Sequence, residues 1–144
     1  MDNKIKNVLI LFSLLASGCP MQALADIAVI VHPKNDAPLT LDDIKNIFMG
    51  RKFEFPKSGI EVKPVDQQEK LPIRNEFYEK LAQKDETRMK AYWANLIFTG
   101  TASPPKELTS DAEVRNFVKN NVSGIGYIDD KSVDSSVKVV QTLK

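Results

Sequence analysis

One cysteine, one histidine and one tryptophan are all that 144 residues contain of these types, and neither sign of charge dominates. The cysteine, Cys19, lies in an N-terminal leader. Its removal would leave no thiol, which excludes disulfide staples, thiolate metal sites and a cysteine nucleophile together. With His32 the single imidazole, a Ser-His-Asp device would have to be built on it, yet no Gly-x-Ser-x-Gly elbow is present. A transition-metal centre wants several His or Cys ligands, so no metal and no cofactor is expected. Phosphate-cradling Gly-x-x-x-x-Gly-Lys and Gly-x-Gly-x-x-Gly sequences are also missing.

The leader has the three parts of a secretory signal. Lys4 and Lys6 make a basic start, residues 8–16 an apolar stretch, and Ala23-Leu24-Ala25 a small-x-small cleavage site. The apolar stretch is far short of the about 20 residues that span a bilayer. Cleavage after Ala25 is the primary expectation, and Leu15-Ala16-Ser17-Gly18-Cys19 supplies a lipoprotein alternative. Residues 1–25 are thus assigned to a signal peptide, residues 26–144 to one exported, periplasmic domain. Loss of Asp2, Lys4 and Lys6 from a chain with 20 basic and 19 acidic residues leaves the two signs balanced. Such balance provides no broad basic field for nucleic acid or anionic lipid.

Strand-like and helix-like patterns alternate along the remainder. Residues 27–31 (IAVIV) form an apolar, β-branched run expected as a buried strand. Thr40 suits an N-cap, Asp42 and Asp43 suit the first turn, and Leu41, Ile44 and Phe48 share a helical face that ends at Gly50. Residues 51–59 form a loop with Phe53 and Phe55 as aromatic plugs. Ile60, Val62 and Val65 mark a second strand, which Pro64 should confine to an edge or a bulge. A helix is expected from Pro72 to about Gln83, with Ile73, Phe77 and Leu81 on one side. In a further helix at residues 87–98, Met89, Trp93, Leu96 and Ile97 share a face bordered by Tyr92. Ser110 and Asp111 cap a fourth helix with Val114, Phe117 and Val118 inward; residues 124–128 and 137–141 are closing strands. The alternation predicts an α/β fold, a single layered domain with a mixed sheet flanked by helices.

Residue chemistry points toward binding. Asp42-Asp43 and Asp129-Asp130 fall at a helix start and in a turn, where carboxylates cap backbone amides. His32 follows the first strand as a loop residue with a local hydrogen bond. Helical spacing assigns Tyr92, Trp93 and Phe98 to core packing. Arg74 stands at the start of a helix that follows a strand and a polar loop. There a guanidinium, free amides and the helix dipole could together hold an oxyanion. No nucleophile–base pair can be named, so the chain is not expected to be an enzyme.

Four features in register then resemble one family. Ile44-x-x-Ile47-Phe48-Met49-Gly50, Arg74-x-x-Phe77, Trp93 with Phe98-Thr99-Gly100 and Pro104-Pro105, and Gly124-Ile125-Gly126-Tyr127 look like the substrate-binding proteins of phosphate-type ABC importers, over residues 27–140. The resemblance implies one lobe of a type 2 periplasmic-binding-protein fold, cofactor-free and non-enzymatic, with a small oxyanion such as phosphate as ligand. It places ligand contacts at Arg74, Gln67 and Gln68, with Thr99 and Thr101 as additions. Where the family carries a Ser-Gly-Thr type phosphate loop, this chain has Asp66-Gln67-Gln68-Glu69-Lys70-Leu71-Pro72, whose Asp66 and Glu69 repel an anion. One open lobe also keeps an ion pair near a water-like dielectric, worth about 1 kcal/mol at 4 Å against about 4 kcal/mol at an effective dielectric of 20. Two functions follow. One is a solute-binding-like protein with a weak or degenerate anion site. The other is an interaction domain that docks on a membrane transporter or sensor.

Overall fold

A computed structural model describes residues 25–144. The leader up to residue 24, with Cys19 and all of the expected cleavage motif but Ala25, lies outside the described residues. Strand β1 (Ile27–Val31) leads to helix α1 (Leu41–Phe48), strand β2 (Lys63–Gln67) and helices α2 (Pro72–Ala82) and α3 (Glu86–Phe98). Strand β3 (Lys106–Leu108), helix α4 (Asp111–Asn120), strand β4 (Gly124–Asp129), a 3-10 turn (Asp130–Ser132) and strand β5 (Lys138–Leu143) complete it. The sheet order is β3-β2-β4-β1-β5. β2 runs parallel to β3 and β4, while β1 is antiparallel to β4 and β5. The expected mixed sheet is present.

β1 shows why the chain layers. All five of its residues are buried, and their period of two sends them to opposite faces. Ile27, Val29 and Val31 join the core beneath α1, α2 and α3. Ala28 and Ile30 join a smaller core beneath α4, with Val65, Val114, Val118 and Ile128. Each buried valine or isoleucine among them contributes about 1.5–3 kcal/mol on leaving water. Gly126 of β4 faces α4, and a Cβ there would come within 2.5 Å of Val114 Cγ1 and 3.0 Å of Val65 Cγ2. Helix and sheet approach closely because that position has no side chain.

Helix starts behave as their sequences dictate. Thr40 Oγ1 accepts from the Asp43 amide at 3.1 Å while the Asp43 carboxylate takes the Thr40 amide at 2.9 Å, a reciprocal capping box. Asp85 caps α3 and Ser110 caps α4, each accepting from the amide three residues on. His32 Nδ1 accepts from the Lys34 amide, the local bond expected of a loop histidine. Asp129 accepts from the Lys131 amide as a turn former.

Several expectations need correction. β2 is an interior strand, not an edge. Lys63 and Pro64 pair with β4 and only Val65 onward pairs with β3. The Lys63 amide points to Ser123 O on the β4 side, so alternation turns the Pro64 nitrogen toward β3, where no ladder has begun. Pro64 therefore costs no strand bond. β3, three residues long, has no counterpart among the elements expected from the sequence. Phe55 is a buried plug, but Phe53 is 60% exposed. Phe98 is 92% exposed rather than packed in the core, and Ile97 is also exposed. Phe98 sits five residues past Trp93, about 140° around the helix from the buried Met89–Trp93 stripe, and the last turn of α3 overhangs the core.

Candidate functional site

The carboxyl ends of the parallel strands are where an open α/β sheet offers a crevice to a ligand. Here Gln67 ends β2 and Asp129 ends β4, and the starts of α2 and α4 face each other across a cleft of about 390 Å³. Leu71, Pro72 and Ile73 form one wall; Thr109, Ser110 and Asp111 form the other. The N-cap of α2, Leu71, has no side chain able to satisfy the first amides, and Pro72 supplies none of its own. Two helix dipoles thus point their positive ends at the cleft.

Its side chains carry the opposite sign. Glu76, Asp111 and Asp129 line the cleft, and no basic residue does. Asp111 is fixed there by three donors: Gln67 Nε2 at 2.6 Å, Ser132 Oγ at 2.8 Å and the Asp129 amide at 3.1 Å. Glu76 is paired to Lys80 at 2.8 Å, one turn along α2. The carboxylate of Asp111 already occupies the favourable field at the start of α4.

Behind the cleft lies a buried polar cluster centred on Asp66. β2 alternation turns Asp66 toward α2, away from Val65, into the aromatic core. Its Oδ2 accepts from Tyr78 OH at 2.7 Å and from Arg74 Nε at 3.2 Å. Its Oδ1 accepts from Tyr127 OH and from the Gln67 amide at 2.8 Å. Tyr127 stacks flat on Phe77 with ring centroids 3.6 Å apart, and Phe48 meets both edge-on, so the acceptor and its donors are held rigidly. Arg74 is 6% exposed, lies over the Tyr78 ring, and has Glu86 3.8 Å from Nη1.

The electrostatics follow this pairing. Burial works against the Arg74 charge, but facing Asp66 and the two phenols outweighs it, and the guanidinium pKa is raised. Tyr78 and Tyr127 are held well above the usual phenol range, first by burial and then by the Asp66 charge. Glu107, on β3, is pushed up by desolvation and by Asp66 and Glu69, despite Arg74 acting the other way. Arg74 thus fails to offset the effect of burial and nearby carboxylates at Glu107.

Of the residues expected to hold a ligand, Arg74 and Gln67 meet at Asp66. Gln67 is buried, spending its side chain on Asp111 and Tyr127 O. Gln68 is exposed at the end of β2, its amide bonded to Leu108 O. Thr99 and Thr101 are not brought to this place. Their hydroxyls bond each other at 2.8 Å beyond the far end of α3, whose start carries Glu86 beside Arg74. Thirteen residues at 1.5 Å each separate the two ends by about 20 Å. Tyr78, Tyr127 and Asp111 were missed as members of the cluster. Contacts spanning 61 residues, such as Tyr127 to Asp66, leave no local sequence signal. Among the described residues, no group of His, Cys, Asp and Glu is arranged to hold a metal ion.

A mixed sheet with helices on both faces and a crevice at the strand ends is the architecture of a single α/β lobe. Solved structures with the same fold include an ABC-type phosphate transport receptor from Vibrio cholerae, with TM-score 0.64 and 19% identity. A phosphate ABC transporter substrate-binding protein with bound phosphate, from Clostridium perfringens, also has TM-score 0.64, at 23% identity. Each alignment covers 81% of this chain but only 46% and 45% of the receptors. The chain thus has the fold of phosphate ABC-transport receptors over less than half of their length. No protein-family model and no curated protein sequence matches it.

Proposed function

We propose that this chain is an exported, periplasmic domain of the phosphate-receptor type whose oxyanion site is degenerate, and that it acts by docking on a membrane transporter or sensor rather than by carrying phosphate. The observation that carries this reading is the pairing of Arg74 with Asp66. The one arginine expected to grip an anion is buried, and it spends its Nε on a carboxylate that already takes three other donors. The acidic walls of the cleft, Glu76, Asp111 and Asp129, support the same reading. No helix among the described residues is long and apolar enough to cross a membrane.

Calorimetric titration of the purified protein with phosphate, sulfate and molybdate, alongside Arg74→Ala, tests it. The expected result is no saturable heat at millimolar anion. Saturable phosphate binding that Arg74→Ala abolishes would overturn it. One observation favours that second reading, a weak anion carrier: the start of α2 has no side-chain cap, and with the Arg74 amide bonded to Leu71 O the Ile73 amide is the first-turn donor left at the cleft.

A further inference from the structure

A second concavity lies at the opposite, amino ends of β2 and β3. Pro104-Pro105 precede β3 and cannot continue a strand ladder, so β3 starts only at Lys106, opposite Val65. The earlier part of β2 therefore has no strand neighbour on that side, and the Pro64 nitrogen that faces the gap has no hydrogen to leave unpaired. The gap is a groove of about 410 Å³. Trp93 from α3, Phe117 from α4 and Ile47 from α1 line it together with Val62, and Phe53 stands exposed at its lip. Gly50, at φ +67°, brings the backbone to the Trp93 ring; a Cβ there would lie 3.1 Å from it.

The charged residues of the groove are all of one sign. Lys52, Lys63 and Lys106 line it and no carboxylate does. Lys52 is bound to Asp43. Lys63 and Lys106 form no ion pair among the described residues, although Glu113 lies within electrostatic range of Lys106. A volume within the range of about 300–1,000 Å³, an apolar floor and a few polar groups at the rim are the features of a small-molecule site.

We propose that this groove binds a small amphipathic organic anion, an aliphatic or aromatic carboxylate whose apolar body lies on Trp93 and Phe117 and whose head meets Lys63 and Lys106. The charge complementarity selects this occupant over a neutral or cationic one of equal apolar area. The groove shares no lining residue with the cleft in front of the Asp66–Arg74 pair; along β2, Lys63, Pro64 and Val65 belong to the groove and Gln67 to the cleft, with Asp66 between them. The fate of phosphate binding therefore decides nothing here, and the converse also holds.

Trp93 is the only tryptophan of the chain, so its fluorescence reports on the groove. Decanoate, below its micelle concentration, is expected to give a saturable change in that signal with Kd of about 0.1–1 mM. Decyltrimethylammonium, with the same tail and the opposite head, should bind at least about tenfold more weakly. Lys63→Ala and Lys106→Ala change exposed side chains and should each weaken decanoate by about fivefold. The double variant should lose about tenfold or more, with an unchanged circular dichroism spectrum. Absence of a saturable response, equal affinity for the two head groups, or decanoate affinity unchanged in the double variant would each overturn the assignment.

Discussion

Arg74 Nε donates to Asp66 Oδ2 at 3.2 Å, and both side chains are shut off from solvent, at 7% and 1% exposure. A charge pair so placed is expensive to break from one side, because the survivor is left buried without a partner; the cost is about 3–5 kcal/mol. Asp66→Ala should therefore lower stability by at least that much, since Tyr78 and Tyr127 lose their acceptor as well. Arg74→Met, which leaves Asp66 with two phenol donors and the Gln67 amide, should cost less. Urea unfolding of the two single variants and of Asp66→Ala/Arg74→Met measures the coupling. The double variant should be more stable than the sum of the singles predicts, and additivity would mean the pair is not coupled.

The same cluster sets an alkaline limit. Tyr78 and Tyr127 have folded pKa values raised well above 10 by burial and the Asp66 charge, so the folded state keeps their protons more tightly than the unfolded chain does. Their contribution is complete below the unfolded value of about 10 and is lost as pH rises through the folded values. Stability should fall with pH above about 10, with a slope that shrinks in Tyr78→Phe. Ultraviolet titration should show these two of the three tyrosines ionising only as the chain unfolds. Ionisation of all three before any loss of circular dichroism would contradict the buried cluster.

How far the sequence reveals this molecule depends on the range of the interaction. The capping box at Thr40 and Asp43, the buried run of β1 and the stripe of Phe77 and Leu81 are set by neighbours within one turn or one strand, and pattern alone locates them. Arg74 at the start of α2 is visible in the same way. Its partner is not, since the eight-position step from Asp66 to Arg74 crosses from a strand to a helix whose relative placement is tertiary. Asp66 reads as a charge that repels an anion; its larger effect is to neutralise the cation meant to attract one. β3 escapes because three residues hold no period, and Phe98 misleads because helical spacing does not say where the core under the helix ends.

Gly126 tests the closeness of α4 to the sheet. Gly126→Ala would drive a methyl to within 2.5 Å of Val114 Cγ1, closer than van der Waals contact allows, with Val65 and Val118 closing the other sides. Overpacking of this kind costs about 1–3 kcal/mol. Val114→Ala should rescue part of the loss when combined with it, although alone it is destabilising as a cavity. Thermal melts of the two singles and the double read this directly, and a Gly126→Ala protein as stable as wild type would show that α4 stands further from β4.

An acid limit is set at the first helix. Asp43 has its pKa lowered to about 2, foremost by its bond to Lys52 and then by the Thr40 amide and hydroxyl. A depressed folded value means that the unfolded chain binds the proton more readily, so the stabilisation is present above the unfolded value of about 4 and disappears as pH falls through about 2. The pair is part-exposed, and screening holds the expected worth of the Lys52 bond to about 1 kcal/mol or less, with the cap adding about 1 kcal/mol. Asp43→Asn should accordingly lower stability by about 1–2 kcal/mol at neutral pH and by progressively less below pH 4. Added salt should reduce only the Lys52 share, because the capping bond is local and the ion pair is screened. Denaturant midpoints for wild type and Asp43→Asn, at neutral and acid pH and at two ionic strengths, separate the two contributions. A difference that is independent of pH would place the effect in packing rather than in the carboxylate.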